Sequence, residues 1–295
     1  MAINHSLRPR RSVLYMPGAN ARALDKARTL PADGLILDLE DAVAPDAKDI
    51  ARDQVVAAVR QGGYGPREVV VRINGLSTPW GRADATAVAD CGADAVLAPK
   101  IESASDVHAL VAALDEAGAP AQLPIWVMIE TPRAFLRLDE IAGAHPRLAV
   151  LVLGTSDLVK DLHARHTRER TETATARSLA LLAARAYGLG ALDGVHLDLD
   201  DDAGLAYACT QGRDMGYDGK TLIHPKQIDA ANSAFGPSDG EVAAAREIVA
   251  AWQEAQTRGQ GVVVVNGRLV EQLHVAEAQR QLAIAEAIAS NAASN

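Results

Sequence analysis

Cysteine is nearly missing from this chain: Cys91 and Cys209 are the only two in 295 residues. They stand far apart with no CxxC spacing, which excludes a disulfide framework and a cysteine-built zinc site and suits a reducing cytoplasm. Long apolar runs are missing too. None approaches the ~20 residues that cross a bilayer, and no secretory apolar segment follows the N-terminus, so no membrane partner is expected. Positive charge is in deficit, with 29 Lys and Arg against 38 Asp and Glu and a net charge of −9. That balance argues against nucleic acid as a partner. Neither GxGxxG nor GxxxxGK[ST] occurs, which removes the usual nucleotide loops. "GTSDL" is not GxSxG, so a serine hydrolase is unsupported. The Asp-rich "HLDLDDDAG" lacks the glutamate of a calcium loop, because Cys209 stands where that ligand belongs. Asp200 or Asp201 reads better as a helix N-cap.

What remains is an ordinary globular composition, 48% apolar and 23% charged. Short apolar runs alternate with helical stretches. The runs cover 12–18, 34–41, 68–74, 95–100, 124–131, 149–157, 194–199 and 220–225. Their unbroken Val/Ile/Leu character marks strands buried on both faces, as in a parallel sheet. Between them, Val107, Leu110, Val111 and Leu114 fall on one helical face behind a Ser103/Asp106 capping pair. Thr131-Pro132 reads as N-cap and first helical residue. Eight strands, each followed by a helix, predict a (β/α)8 TIM barrel over 1–235. An open doubly wound sheet is the alternative. Residues 236–295 form a C-terminal helical extension, or lid, that packs on the barrel or a neighbouring subunit. It opens with a Ser238/Glu241 capping box and carries a strand-like "GVVVV" and the turn Asn266-Gly267.

Barrel enzymes place their chemistry at the C-terminal ends of the strands. Those positions hold Asp38, Glu40 and Asp41, then Arg72 and Asn74, Lys100, Glu130, Asp157, and Asp198 with Asp200. Glu130 and Asp157 end adjacent runs, roughly 5 Å apart across the sheet. Two carboxylates so close need a compensating cation. Hard oxygen ligands favour Mg2+, or Mn2+, with positions left for water and substrate. Any single strand-end acid is more often a helix cap or half of an ion pair; the pair, with Arg72 across the mouth, points to a metal site. Lys100 is either a Schiff-base lysine or, more plainly, an anion-pairing one. His196 and His224 have no HExxH or triad context and read as core or loop histidines. Residues 1–28 carry Arg8, Arg10, Arg11, Arg22, Lys26 and Arg28 against Asp25 alone, either a solvated basic arm or a site for an anionic ligand.

"RSVLYMPGANARALDKA", "GLILDLEDAVAPDAK", "VVVRING", "VMIETPRA", "LVLGTSDL" and "GYDGKTLIHPKQI" occur in order. Together they resemble the citrate lyase beta-subunit-like group of CoA-ester lyases, which includes malyl-CoA and citramalyl-CoA lyases, over nearly the whole chain. The resemblance implies a (β/α)8 barrel, a cytoplasmic homotrimer or hexamer, and Mg2+ bound by Glu130 and Asp157. It puts the substrate arginine on Arg72 and the phosphate-binding region for coenzyme A on Lys26 and the basic segment with Arg11. It also implies a lid acid acting as general base, usually Asp in "DGxxxD"; here the segment reads "NGRLVEQ", with Glu271 in its place.

The expected reaction is Mg2+-dependent aldol cleavage or formation of a 3-hydroxyacyl-CoA thioester, citryl-, malyl- or citramalyl-CoA-like, into an acyl-CoA and a 2-oxo acid. The turn Gly154–Asp157, with Ser156, is placed to hold the oxo acid's carboxylate. The alternatives are a metal-dependent aldolase on free hydroxy-oxo acids, or a citrate lyase beta-type subunit whose substrate arrives on an acyl-carrier protein.

Overall fold

The computed structural model describes residues 8–293. Its strands are β1 (Ser12–Pro17), β2 (Gly34–Asp38), β3 (Glu68–Arg72), β4 (Ala95–Ala98), β5 (Ile125–Ile129), β6 (Leu148–Leu153), β7 (Gly190–Asp193) and β8 (Gly219–Leu222). They pair in parallel, each with the next, and β1 closes on β8. The helices are α1 (Ala21–Lys26), α2 (Lys48–Gln61), α3 (Gly81–Val88), α4 (Ala104–Glu116), α5 (Pro132–Phe135), α6 (Leu138–Ala142), α7 (Thr155–Asp161), α8 (Ala174–Ala186), α9 (Asp202–Met215) and α10 (Ile228–Phe235). No helix among the described residues is long and apolar enough to cross a membrane.

The barrel is closed because its strands bury both faces. Val13, Ile36, Val70, Leu97, Trp126, Val150 and Leu192 meet inside it. Their chain neighbours Leu14, Leu35, Val71, Val96, Val127 and Leu151 pack outward against the helices. With both phases of the two-residue period buried, the runs carry no polar alternation. Helix starts follow the local chemistry. Ser103 caps α4 by accepting from Asp106 N, Thr131 caps α5 ahead of Pro132, and Asp201 caps α9 by accepting from Gly204 N at 2.8 Å.

The N-terminal end of the barrel absorbs charge that looked available in the sequence. Arg10 donates to Glu68 at 2.6 and 2.9 Å and lies 5.2 Å from the Trp126 ring centre. Arg11, expected to bind coenzyme A phosphates, instead grips Asp33 with two side-chain hydrogen bonds of 2.8 Å. It precedes the first residue of β1, at the end opposite the βα-loops. Its guanidinium is thus matched to a carboxylate at that end.

The seventh strand also lies elsewhere than expected. It is Gly190–Asp193, and 194–199 is loop, with Leu197 exposed. The last residue of that strand, Asp193, is wholly buried. It accepts from Arg170 at 2.6 and 2.7 Å and from Lys220 at 3.2 Å. Burial alone would raise its pKa, but the charges of Lys220 and Arg170 overcome that and hold it down at about 2.

A second compact unit begins at Gly236. In it α11 (Asp239–Thr257) starts with the Ser238/Glu241 capping box. The strands β9 (Val263–Val265) and β10 (Arg268–Val270) pair antiparallel around Asn266 (φ 50°) and Gly267 (φ 77°), the left-handed pair of a tight hairpin. The helix α12 (Gln272–Ala293) follows, and Trp252, Val270 and Val275 form the unit's small core.

Asp193→Ala strands the buried Lys220 and the partly buried Arg170, so it is expected to cost about 3–5 kcal/mol, read as a lower urea midpoint at pH 7. The acid's stabilisation is full above its ordinary value of 3.8 and is lost as pH falls toward about 2. The parent's acid unfolding therefore contains a component in that window that Asp193→Ala lacks. Identical acid transitions would refute the assignment.

Candidate active site

The inward phase of each strand turns from apolar to polar at the C-terminal end. Tyr15 follows Val13 on β1, Asp38 and Glu40 follow Ile36, and Arg72 follows Val70. On β5, Met128 and Glu130 follow Trp126. One two-residue period therefore builds both the barrel's floor and its reactive mouth.

Arg72 is only 5% exposed. Its Nε and Nη2 donate to Asp38 at 2.6 and 2.7 Å, and its plane lies 4.8 Å from the Tyr15 ring centre. The Nη1 corner lies 2.6 Å from Glu40 Oε2 and 3.5 Å from Asp41 as charge contacts, and donates to the Met128 sulfur at 3.6 Å. Burial lifts Glu40 to about 7 against the opposing pull of Arg72, with the negative charge of Asp41 adding to the rise. Burial likewise raises the Tyr15 phenol.

Glu130 stands next after β5 and is 2% exposed. Its Oε1 accepts from the Lys100 backbone N–H at 2.7 Å. Gly154, following β6, leaves the space it fills, since a β-carbon there would strike the Glu130 side chain. Asp157 does not end β6 as expected; it lies in the first turn of α7. The Lys100 ammonium closes the pair, bonding Asp157 Oδ2 and lying 3.5 Å from Glu130 Oε1. Burial raises Glu130, outweighing the charge of Lys100. For Asp157 the balance reverses: burial pushes up, but the hydrogen bond and charge of Lys100, with a hydrogen bond to Glu130, bring it down.

Among the described residues no group of three or more His, Cys, Asp or Glu side chains could hold a metal ion. The donor set that does exist is two converging carboxylates with a cation already between them. Its oxygen chemistry fits a small hard divalent ion whose other ligands are water and substrate.

The remaining expected residues are scattered. Ser156 is exposed beside Asp157 in α7. Lys26 is exposed at the end of α1, without an ion pair among the described residues. Asp198 and Asp200 are exposed in the loop before α9, and His224 accepts from Lys226 N at 3.2 Å as a helix cap. Glu271 belongs to the second unit, exposed between β10 and α12, with its N–H donating to His274 at 3.0 Å. Sequence reasoning missed Tyr15 and Met128, which are hidden inside apolar runs. The only signal was their position in the inward phase.

Residues 11–225 match the HpcH/HpaI aldolase/citrate lyase family. The chain belongs to that family. It is 49% identical over 290 residues to the (3S)-malyl-CoA thioesterase of Cereibacter sphaeroides, covering 98% of this chain and 99% of that protein. It is 39% identical over 269 residues to citrate lyase subunit beta of Escherichia coli, covering 90% and 89%. Among solved structures it resembles protein CitE of Mycobacterium tuberculosis in complex with magnesium, acetoacetate and coenzyme A. That match has 32% identity and a TM-score of 0.74, over 95% of this chain and 99% of that one. The family resemblance carried by the motifs is thus family membership, and the protein is an enzyme of the lyase type.

Arg72→Lys retains the charge but loses the two-pronged grip on Asp38 and the planar stack on Tyr15. Turnover is expected to fall about 100-fold or more, measured as kcat at saturating substrate. Activity within a few-fold of the parent would show that the guanidinium's geometry is irrelevant.

Proposed function

We propose that this enzyme is a Mg2+-dependent carbon–carbon lyase that cleaves or forms a 3-hydroxyacyl-CoA thioester, yielding an acyl-CoA and a 2-oxo acid. The observation that carries the reading is the convergence of Glu130 and Asp157 on one cationic position beside Arg72. The magnesium, acetoacetate and coenzyme A bound to the Mycobacterium tuberculosis relative support it.

Glu130 and Asp157 would hold the ion, which when bound supplies Lewis acidity toward the oxo acid's oxygens. Arg72 is oriented by Asp38 so that its Nη1 corner faces the place where negative charge develops on the hydroxyl-derived oxygen. Tyr15 and Met128 floor the mouth and keep that corner out of bulk water, where its charge counts for more. Lys26, exposed on α1 and without an ion pair among the described residues, is suited to meet the phosphates of coenzyme A. In the condensing direction a base must take a proton from the acyl-CoA α-carbon. Glu271, reaching from a neighbouring chain of a homo-oligomer, is assigned that part. Glu40 is the alternative within the barrel, a carboxyl that titrates near 7.

A second reading is favoured by the relative named (3S)-malyl-CoA thioesterase: the same site then admits water to the thioester carbonyl, releasing free CoA and a hydroxy acid. Products separate the two. Purified enzyme with Mg2+ and malyl-, citramalyl- or citryl-CoA is expected to release an acyl-CoA and a 2-oxo acid, seen by chromatography. Release of free CoA with intact hydroxy acid would establish hydrolysis. Glu130→Ala and Asp157→Ala are each expected to lose activity about 1,000-fold and to lose Mg2+ binding by calorimetry while remaining folded. Unchanged Mg2+ affinity in both would remove the metal site.

Glu271→Gln cannot accept a proton at neutral pH. It is expected to suppress exchange of the acyl-CoA α-protons with D2O, followed by NMR, while Mg2+ affinity stays at the parent value. Exchange at the parent rate would pass the role to Glu40.

A further inference from the structure

We propose that Lys100 is a resident counter-ion that trades places with the divalent cation, so that metal loading releases a positive charge at the mouth of the barrel for an anionic substrate. The inference rests on the metal reading above and concerns a residue to which that reading gives no part.

The geometry is specific. The Lys100 ammonium bonds Asp157 Oδ2 and lies 3.5 Å from Glu130 Oε1, so it occupies the point on which both carboxylates converge. Its backbone is fixed independently of its charge: φ is 55°, in the left-handed region, and its N–H donates to Glu130 Oε1 at 2.7 Å. The anchor is therefore rigid and the stem is not. The side chain is 43% exposed against 2% for that of Glu130, and a four-carbon stem can swing outward without disturbing the strand end.

Two carboxylates held this close repel unless a cation lies between them. An ammonium meets that need but cannot share it with a divalent ion, because like charges at such separations repel strongly where water is partly excluded. Nζ must leave for the ion to reach both oxygens. Once displaced, it remains tethered at the rim, without a carboxylate partner, where the carboxylate of a 2-oxo acid must approach. Metal and anion are then linked, each favouring the other by the same factor.

Lys100→Met keeps the stem and removes the competitor. Calorimetry with Mg2+, and Mn2+ titration followed by electron paramagnetic resonance, are expected to show metal binding about 5- to 10-fold tighter than in the parent. The metal-free variant is expected to melt at a lower temperature, and the metal-loaded variant to bind pyruvate more weakly than the metal-loaded parent. Lys100→Arg, which retains a cation, is expected to stay near the parent's metal affinity and guards against a mere packing effect. Metal affinity within twofold of the parent, or weaker, in Lys100→Met overturns the exchange while leaving the metal site standing. A parent enzyme that binds no Mg2+ at all would bring down both.

Discussion

The repulsion between Glu130 and Asp157 is the constraint around which the mouth of this barrel is organised. One carboxylate is nearly buried and the other partly so, and burial alone would drive both toward their neutral forms. The Lys100 ammonium reverses that for Asp157 and only moderates it for Glu130. Holding such a pair together takes rigid support. Glu130 is pinned by a backbone N–H and by the space Gly154 leaves, and Asp157 by the first turn of α7. The left-handed backbone of Lys100 costs on the order of 1–2 kcal/mol. That strain is the kind a protein keeps where geometry matters more than stability.

Arg72 solves a complementary problem. A buried guanidinium needs partners for its N–H groups, and Asp38, two strand positions beyond Ile36, accepts from two of them. The remaining corner meets Glu40, whose burial makes it a poor permanent anion. The result is a positive group with a fixed direction and an incompletely neutralised edge, more useful to a developing oxyanion than a fully paired one. Tyr15 beneath it serves as a flat apolar floor.

The two ends of the barrel divide the labour. At the N-terminal end Arg10 with Glu68 and Arg11 with Asp33 form close, matched pairs; within the barrel Asp193, the last residue of β7, ties that strand to Lys220 on β8 and to Arg170 before α8. In these pairs each charge lies against its opposite. At the C-terminal end the charges are crowded and mutually frustrated, which is where chemistry is expected in this architecture.

Alone, the sequence was enough for whatever depends on short-range pattern. The barrel follows from eight doubly buried apolar runs, the helix starts from Ser103, Thr131 and Ser238, and the positions of Glu130 and Arg72 from the period that runs through Trp126 and Val70. These features are local, and local stereochemistry determines them. The tertiary structure decided which charges cancel. Arg10 and Glu68 are 58 positions apart, and Lys100 and Asp157 are 57 apart. No pattern in the chain distinguishes a cation that will be neutralised from one left to bind. The same ignorance misplaced the seventh strand, expected over 194–199 and found at Gly190–Asp193: the partners that let Asp193 be buried, Arg170 and Lys220, come from elsewhere in the chain. Pairing energy depends on distance in space and on the water removed, and both exist only once the barrel has closed.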